Sequence, residues 1–276
     1  MHLIHTAPAL RRRLAGENSV AFVPTMGNLH QGHLELVELA RRHGGCVVVS
    51  IFVNPLQFGP SEDYAKYPRT LEADCASLEG LADVVFAPAV EEMYPAPQQV
   101  YVEPPPFAAE LCGAFRPGHF RGVATVVLKL LNLVQPDAAV FGKKDYQQLA
   151  VIRAMAEQLN LPLAIVAGET ARAPDGLALS SRNGYLSETE RAEAIRLYRN
   201  LQEIVAQVGN GERNFTALEN AARADLESHG WRVDYVAVRN PRSLLPATAE
   251  DRKAVVLAAA WLGKTRLIDN LEITLD

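Results

Sequence analysis

The chain has 276 residues, 49% of them hydrophobic and 21% charged, which is an ordinary globular balance at a length that suits two domains. Its net charge of −5 argues against a nucleic-acid partner, because that binding depends on neutralising phosphates. Three separated cysteines argue against a disulfide framework and a structural zinc site. With no signal-peptide pattern and no apolar run long enough to span a bilayer, we expect a soluble, unprocessed cytoplasmic protein that binds no membrane.

Short apolar runs alternate with helical stretches over residues 1–170. The predicted strands cover 19–23, interrupted at Pro24, then 46–53, 83–87, 138–141 and 164–167. The predicted helices cover 32–42, 70–81, 122–134 and 145–159. This alternation predicts an α/β domain with a doubly wound parallel sheet and helices on both faces.

The pattern changes after about Ala171. One long helix is predicted over 187–208, with Ser187 as N-cap and Glu190 completing a capping box, and a second over 216–228. Two strands, 233–238 and 254–260, follow without the strand–helix–strand rhythm of the first part. Residues 171–276 are therefore predicted to form a smaller α+β domain.

The segment Pro24–His33 follows the first predicted strand and opens the first helix, where a doubly wound fold binds phosphates. Gly27 allows a tight turn, and Gly32 lets a nucleotide pack against the backbone. His30 and His33 share one helical face near the positive end of the helix dipole, so they can donate hydrogen bonds to phosphate oxygens. A capping pair and a metal pair are the alternatives, but the zinc-motif glutamate and a nearby third ligand are missing from the sequence.

Two further segments carry cations after predicted strands or in loops. Phe141–Gln148 opens a helix, and Lys144 there can neutralise a polyphosphate, whereas Lys143 is equally compatible with a solvated surface lysine. In Leu179–Gly184, two serine hydroxyls precede Arg182, a combination that suits an anionic leaving group. Because Phe141–Gln148 follows a strand at the same edge of the sheet, it is predicted to lie beside Pro24–His33.

A polar residue stands in an aromatic turn after the second strand. Gln57, which has both a donor and an acceptor, is flanked by Phe52, Leu56 and Phe58. This pattern favours a small apolar pocket with one polar anchor. The alternative is that Gln57 is a surface turn residue.

Six stretches together resemble the pantothenate synthetase family, the pantoate–β-alanine ligases of the nucleotidyltransferase superfamily. They are Pro24–His33, Phe52–Phe58, Tyr67–Thr70, Arg116–Gly122, Lys144–Gln148 and Leu177–Asn183. The resemblance runs nearly end to end, and the order and spacing of the stretches are more specific than any single motif. Lys143 departs from the family, which often has Glu or Gln at this position.

The resemblance implies a Rossmann-like domain, a C-terminal domain that acts as a lid, a homodimer, and ATP with Mg²⁺. The implied reaction condenses pantoate with β-alanine through a pantoyl-adenylate, giving pantothenate, AMP and pyrophosphate.

The resemblance also implies roles for individual residues. The implied catalytic residues are His30, His33, Lys144 and Arg182, with His33 as proton donor. The implied substrate contacts are Gln57 for pantoate and β-alanine, Gln148 for pantoate, and Asn54; the resemblance assigns no protein ligand to Mg²⁺. The implied ATP contacts are Met26, Gly27, Asn28, Leu29, His30, Gln31, Gly32, His33, Gly142, Lys143, Lys144, Asp145, Ala171, Leu179, Ser180, Ser181 and Arg182.

Two other functions fit parts of the pattern. Another adenylyl-transferring enzyme of the same superfamily could share the fold and the His-x-Gly-His motif, but it should lack the Asn-Pro-x-Gln-Phe turn. A non-catalytic nucleotide-binding regulator would tolerate loss of the histidines and lysines, which are all present.

The chemistry of an adenylation fits the side chains of these motifs. The reaction needs no general base, because a carboxylate is already ionised at neutral pH. It needs charge stabilisation, which the histidines, lysines, serines and arginine of the motifs can supply.

Overall fold

A computed structural model describes residues 1–60, 62 and 64–275. These residues group into two compact units. The first unit comprises residues 1–108, 116–143 and 148–169, and the second comprises 109–115, 144–147 and the chain from Thr170 onward. Within the described part of the chain, no helix is both long and apolar enough to cross a membrane.

The helices and strands alternate through most of the chain. In chain order they are β1 (His2–Ile4), α1 (Ala7–Leu14), β2 (Val20–Thr25), α2 (Gln31–Ala40), β3 (Cys46–Ile51), α3 (Leu71–Leu78), β4 (Val84–Phe86), α4 (Val90–Met93), α5 (Cys112–Phe115), α6 (His119–Val134), β5 (Ala138–Gly142), α7 (Tyr146–Gln158), β6 (Ala164–Gly168), α8 (Glu188–Glu193), α9 (Ile195–Gly209), α10 (Phe215–Ser228), β7 (Arg232–Arg239), β8 (Lys253–Leu262) and β9 (Thr265–Thr274).

The first unit is built on a six-stranded sheet in the order β1-β4-β3-β2-β5-β6, and all its pairs are parallel. The strand order reverses between β2 and β5, which makes a topological switch point at their carboxyl ends. The segments that follow these two strands, which begin at Met26 and Lys143, therefore start at neighbouring positions. This arrangement confirms the predicted doubly wound α/β fold.

The prediction that the first strand stops at Pro24 is wrong, since β2 continues to Thr25. The Val20 carbonyl accepts a bond from Asp137 beside β5, and the Thr25 carbonyl accepts one from Phe52 beside β3. Because alternate residues of a strand face alternate neighbours, Pro24 faces the β5 side. The β2–β5 pairing ends at Phe22, so the missing N–H of Pro24 breaks no bond of that ladder.

The second unit contains an antiparallel sheet in the order β7-β8-β9. Apolar residues of α9, α10 and one face of this sheet form a core. Its members include Leu197, Leu201, Leu218, Leu226, Val256 and Leu267. The predicted capping box of Ser187 and Glu190 is present. The single predicted helix over 187–208 is instead two helices, α8 and α9, joined at Ala194, whose backbone angles stay helical at φ −57° and ψ −26°. Sequence periodicity missed β1, α1, α4, α5 and β9.

Candidate active site

Two histidines cap the N-terminus of α2, and the ring of each accepts a backbone N–H group there. His30 is the N-cap residue, and its Nδ1 accepts the Gly32 N–H at 3.2 Å. The Nδ1 of His33 accepts the His30 N–H at 3.2 Å, and the two rings lie 4.1 Å apart. A ring nitrogen that accepts a hydrogen bond carries no proton, so the Nε2 atom of each ring carries it. The capping alternative and the donor prediction are therefore compatible, because the caps use only Nδ1.

The turn before these histidines is held by a buried carboxylate on α3. Asp74, which is 3% exposed, accepts the Asn28 N–H at 3.0 Å and the Leu29 N–H at 2.8 Å. Gly27 and Asn28 both have positive φ, +80° and +52°, and a Cβ on Gly27 would lie 2.9 Å from a carboxylate oxygen of Asp74. The sequence carries no signal for the role of Asp74, because a contact across 46 residues leaves no periodic pattern.

The turn that carries Gln57 is a buried amide network. Gln57 and Asn54 are only 9% and 1% exposed, so the interpretation of Gln57 as a surface turn residue is wrong. The Asn54 amide donates to Gln57 Oε1 at 3.1 Å, and Gln57 Nε2 lies 3.1 Å from the sulfur of Met26. Burial raises the pKa of Tyr94, so its hydroxyl stays protonated and donates to Asn54 Oδ1 at 2.8 Å. The structure thus brings Gln57 to Met26 at the end of β2.

A second set of polar side chains holds the same turn from the other side. His119 Nδ1 lies 2.8 Å from the Gln57 carbonyl, which only accepts, so Nδ1 carries the proton. Arg116 donates to His119 Nε2 at 3.0 Å and binds both oxygens of Glu62 at 2.6 and 2.7 Å. Burial pushes the pKa of Glu62 upward, but the hydrogen bonds and charge of Arg116 outweigh it and lower the pKa overall.

Helix α6 approaches the Gln57 turn so closely that only glycine fits at the contact. A Cβ on Gly122 would lie 2.1 Å from the Leu56 carbonyl oxygen. The Gly122 carbonyl in turn accepts the Asn54 amide at 3.3 Å. The helix starts at His119, earlier than predicted, after Gly118 in the left-handed region. The Arg116–Gly122 stretch of the family pattern therefore supports the turn that carries Gln57.

The two lysines after β5 have different surroundings. Lys143 Nζ lies 2.6 Å from the carboxylate of Glu169, within the first unit, and so it has an ionic partner. Gln148, on α7, is partly buried in the same unit. Lys144 and Asp145 complete a 3₁₀ turn with Lys143, and Lys144 belongs to the second unit.

The remaining predicted site residues belong to the second unit. The Leu179 N–H donates to the Ala171 carbonyl at 2.9 Å, which closes a hairpin. After it, Ser180 Oγ accepts the Arg182 N–H at 3.3 Å and caps the 3₁₀ turn Ser181–Tyr185. The two serines and Arg182 are therefore held in one short capped turn, at the exit of the hairpin.

Comparisons with known proteins agree along the chain. A sequence profile of the family described as pantoate-beta-alanine ligase matches residues 2–272. The pantothenate synthetase of Thiobacillus denitrificans is 63% identical over 99% of this chain and 98% of that protein, and the one of Neisseria meningitidis serogroup B is 58% identical over 100% of both chains.

Solved structures give the same result. A pantothenate synthetase from Thermus thermophilus superposes with a TM-score of 0.94 at 48% identity, covering 99% of this chain and all of that one. A pantoate-beta-alanine ligase from Francisella tularensis, complexed with beta-gamma ATP and beta-alanine, gives a TM-score of 0.80 at 33% identity, covering 98% and 97% of the two chains. The fold, the capped histidine pair and these matches agree: the chain belongs to the pantoate–β-alanine ligase family, whose members are also called pantothenate synthetases.

Proposed function

We propose that this ligase condenses pantoate with β-alanine to give pantothenate, and that ATP drives the reaction through a pantoyl-adenylate. Family membership over residues 2–272 carries the proposal. The relatives are named for this product, and the Francisella tularensis structure holds a nucleotide and beta-alanine. The capped histidine pair suggests how the chain would handle the nucleotide.

In the first half-reaction, the pantoate carboxylate attacks the α-phosphorus of ATP, and the bond to pyrophosphate breaks. We assign the Nε2–H groups of His30 and His33 to the phosphate oxygens on which charge builds. The backbone at Gly32 and the positive end of the α2 dipole add to this stabilisation. Lys144, Ser180, Ser181 and Arg182 are assigned to the departing phosphates by the family pattern.

In the second half-reaction, the amine of β-alanine attacks the acyl carbon and releases AMP. We assign Gln57 to both pantoate and β-alanine, and Gln148 to pantoate. The buried network of Asn54, Tyr94 and His119 supports the role of Gln57, because it fixes both the side chain and the carbonyl of that residue. A preorganised amide loses little entropy when it binds a substrate.

The donor set suits a Mg²⁺ ion that is bound mainly by phosphates. Within the described residues, no three His, Cys, Asp or Glu side chains are close enough to form a metal site. Magnesium commonly keeps several waters and one or two carboxylates beside substrate phosphates. Among the predicted ATP contacts only Asp145 carries a carboxylate, and it is exposed, so we assign it to the ion, directly or through water. When bound, Mg²⁺ would neutralise phosphate charge.

The protein is further proposed to act as a homodimer in the cytoplasm, as the family pattern implies. Its acidic net charge and widely spaced cysteines are compatible with that compartment. Sedimentation equilibrium of the purified chain tests the dimer, and a monomer at micromolar concentration would contradict it.

An isotope experiment tests the reaction and its intermediate together. Pantoate labelled with ¹⁸O in its carboxylate is incubated with ATP, Mg²⁺ and β-alanine, and the products are analysed by mass spectrometry. A reaction through an acyl-adenylate transfers one labelled oxygen to AMP. A reaction through an acyl phosphate would release ADP instead. Formation of unlabelled AMP would contradict the adenylate, and a mixture that yields neither AMP nor pantothenate would favour another adenylyl-transferring enzyme.

A further inference from the structure

Strand β9 carries two adjacent polar residues that are almost fully buried. Asp269 and Asn270 are 4% and 5% exposed. Successive side chains of a strand point to opposite faces of its sheet. Asp269 is paired with Ala258, which belongs to the apolar core formed with α9 and α10, so Asp269 points to the helical face. Asn270 therefore points to the opposite face.

On the helical face, Asp269 anchors the hairpin that leads to Ser180. Arg172 donates to its two carboxylate oxygens at 2.7 and 2.8 Å. The same guanidinium donates to the Gly176 carbonyl at 3.0 Å and lies 3.9 Å from the ring centre of Tyr198. Arg172 thus fixes the hairpin to β9 through a bidentate ion pair with Asp269. It also binds the tip of the hairpin at the Gly176 carbonyl. Such bidentate pairs specify geometry as well as contributing energy.

On the opposite face, Asn270 anchors the segment of Lys144. Its Nδ2 donates to the Lys144 carbonyl oxygen at 3.0 Å. Two residues further along β9, the carboxylate of Glu272 accepts a bond from the Tyr146 hydroxyl at 2.9 Å. These bonds join β9 to a segment more than a hundred residues away in sequence, and they fix the main chain from which the Lys144 side chain extends.

We propose that Asp269 and Asn270 are positioning residues of the ligase, with one strand holding two nucleotide-contacting segments from opposite faces. Asn270 sets the position of Lys144, and Asp269, through Arg172, sets the position of the turn Ser180–Arg182. The inference rests on the proposed function, because it takes these segments as ATP contacts. Misplacing a charged group by about 1 Å can lower a rate by about 10²-fold, so a rigid strand is a suitable anchor.

The test compares Asn270→Ala with the wild-type enzyme in steady-state and binding measurements. We expect the kcat/KM for ATP, followed by pyrophosphate release, to fall by about 10- to 100-fold. We expect the affinity for pantoate, measured by calorimetry, to stay unchanged, because Gln57 and its network belong to the first unit. Asn270→Asp has the same size but no donor and should show the same loss.

A double-mutant cycle separates positioning from general damage. If Asn270 acts through Lys144, then Asn270→Ala should add little to the loss already caused by Lys144→Ala, whereas additive losses would overturn the proposal. Leu267→Ala is the matched control, since it opens a cavity in the core of the same strand. It should lower the melting temperature at least as much while keeping the KM for ATP; an equal kinetic loss in this control would also overturn the proposal.

Arg172→Lys tests whether Asp269 anchors the hairpin. A lysine keeps the positive charge but loses the bidentate contact of the guanidinium with the Asp269 carboxylate. We expect this variant to have a higher KM for ATP. Wild-type kinetics would show that Asp269 is not a positioning residue. Wild-type kinetics of Asn270→Ala would show the same for Asn270. A wild-type enzyme that forms no AMP would contradict the proposed function instead, so the two failures are distinguishable.

Discussion

The carboxylate of Asp74 offers a sharp test of how the histidine pair is positioned. Its two oxygens accept the N–H groups of Asn28 and Leu29, and the Thr70 hydroxyl lies 3.2 Å from one of them. Asp74→Asn keeps the size of the side chain but turns one acceptor into a donor. The Thr70 hydroxyl can rotate to accept from the new amide nitrogen, so we expect that nitrogen to face Thr70 and Asn28.

The cost follows from this geometry. The Asn28 N–H loses its acceptor and meets a second donor, and a buried group left unpaired costs about 1–3 kcal/mol. The Leu29 bond remains but loses its charge assistance, which is the smaller effect. We therefore expect the free energy of unfolding to fall by about 1–3 kcal/mol. Because His30 directly follows Leu29, the rate of adenylation should also fall, by about 10²-fold.

Two measurements check this prediction. Urea unfolding followed by circular dichroism gives the change in stability, and rapid-quench analysis of pyrophosphate release gives the rate. Glu72→Gln is the matched control, because it removes a charge from the same first turn of α3 at an exposed position. Wild-type stability and rate in Asp74→Asn would refute the reasoning, as would equal losses in Glu72→Gln.

Four further predictions, made on five substitutions, test the site. His33→Ala should lower the rate of pantoyl-adenylate formation by about 10²-fold or more, measured by rapid quench, since one charge-stabilising donor is lost. Lys144→Ala should abolish most adenylation whereas Lys143→Ala should be mild in the same assay, because Lys143 is paired with an exposed carboxylate. Gln57→Leu should weaken pantoate binding by at least about tenfold in calorimetry and leave ATP binding intact. Glu62→Gln should destabilise the protein at pH 7 and much less in acid, measured by urea unfolding.

The acid dependence of Glu62→Gln follows from the lowered pKa of this carboxyl in the folded protein. A group whose pKa is lowered by folding stabilises the fold above its unfolded pKa, which is about 4.3 for Glu. That contribution is lost as the pH falls through the folded pKa. The difference between wild type and variant should therefore shrink below about pH 4. A difference that stays constant with pH would contradict the role of the ion pair with Arg116.

The other three predictions each have a clear contrary result. A wild-type adenylation rate in His33→Ala would show that His33 does not stabilise charge on the phosphates. A larger loss in Lys143→Ala than in Lys144→Ala would mean that the register of this turn was misread. A Gln57→Leu variant that lost ATP affinity but kept pantoate affinity would assign Gln57 to the nucleotide.

Local patterns in the sequence determined the doubly wound sheet, most helix positions and the motif segments. Strand periodicity, proline and glycine positions, and the capping box of Ser187 act over a few residues, so a single sequence displays them directly. One of the errors has a local physical cause: Pro24 stays in β2 because its missing N–H faces a side where pairing has ended. The helix predicted over 187–208 is interrupted at Ala194 although no breaker residue stands there.

The tertiary structure decided which side chains hold the motifs in place. Asp74 reaches the Gly27 turn across 46 residues, and Asn270 reaches Lys144 across 126. Such partners leave no trace in hydrophobic periodicity, because a hydrogen bond depends on where the fold brings two atoms and not on their spacing in the chain. Sequence alone therefore indicated the groups that can do the chemistry, and only the fold identified the carboxylates and amides that position them.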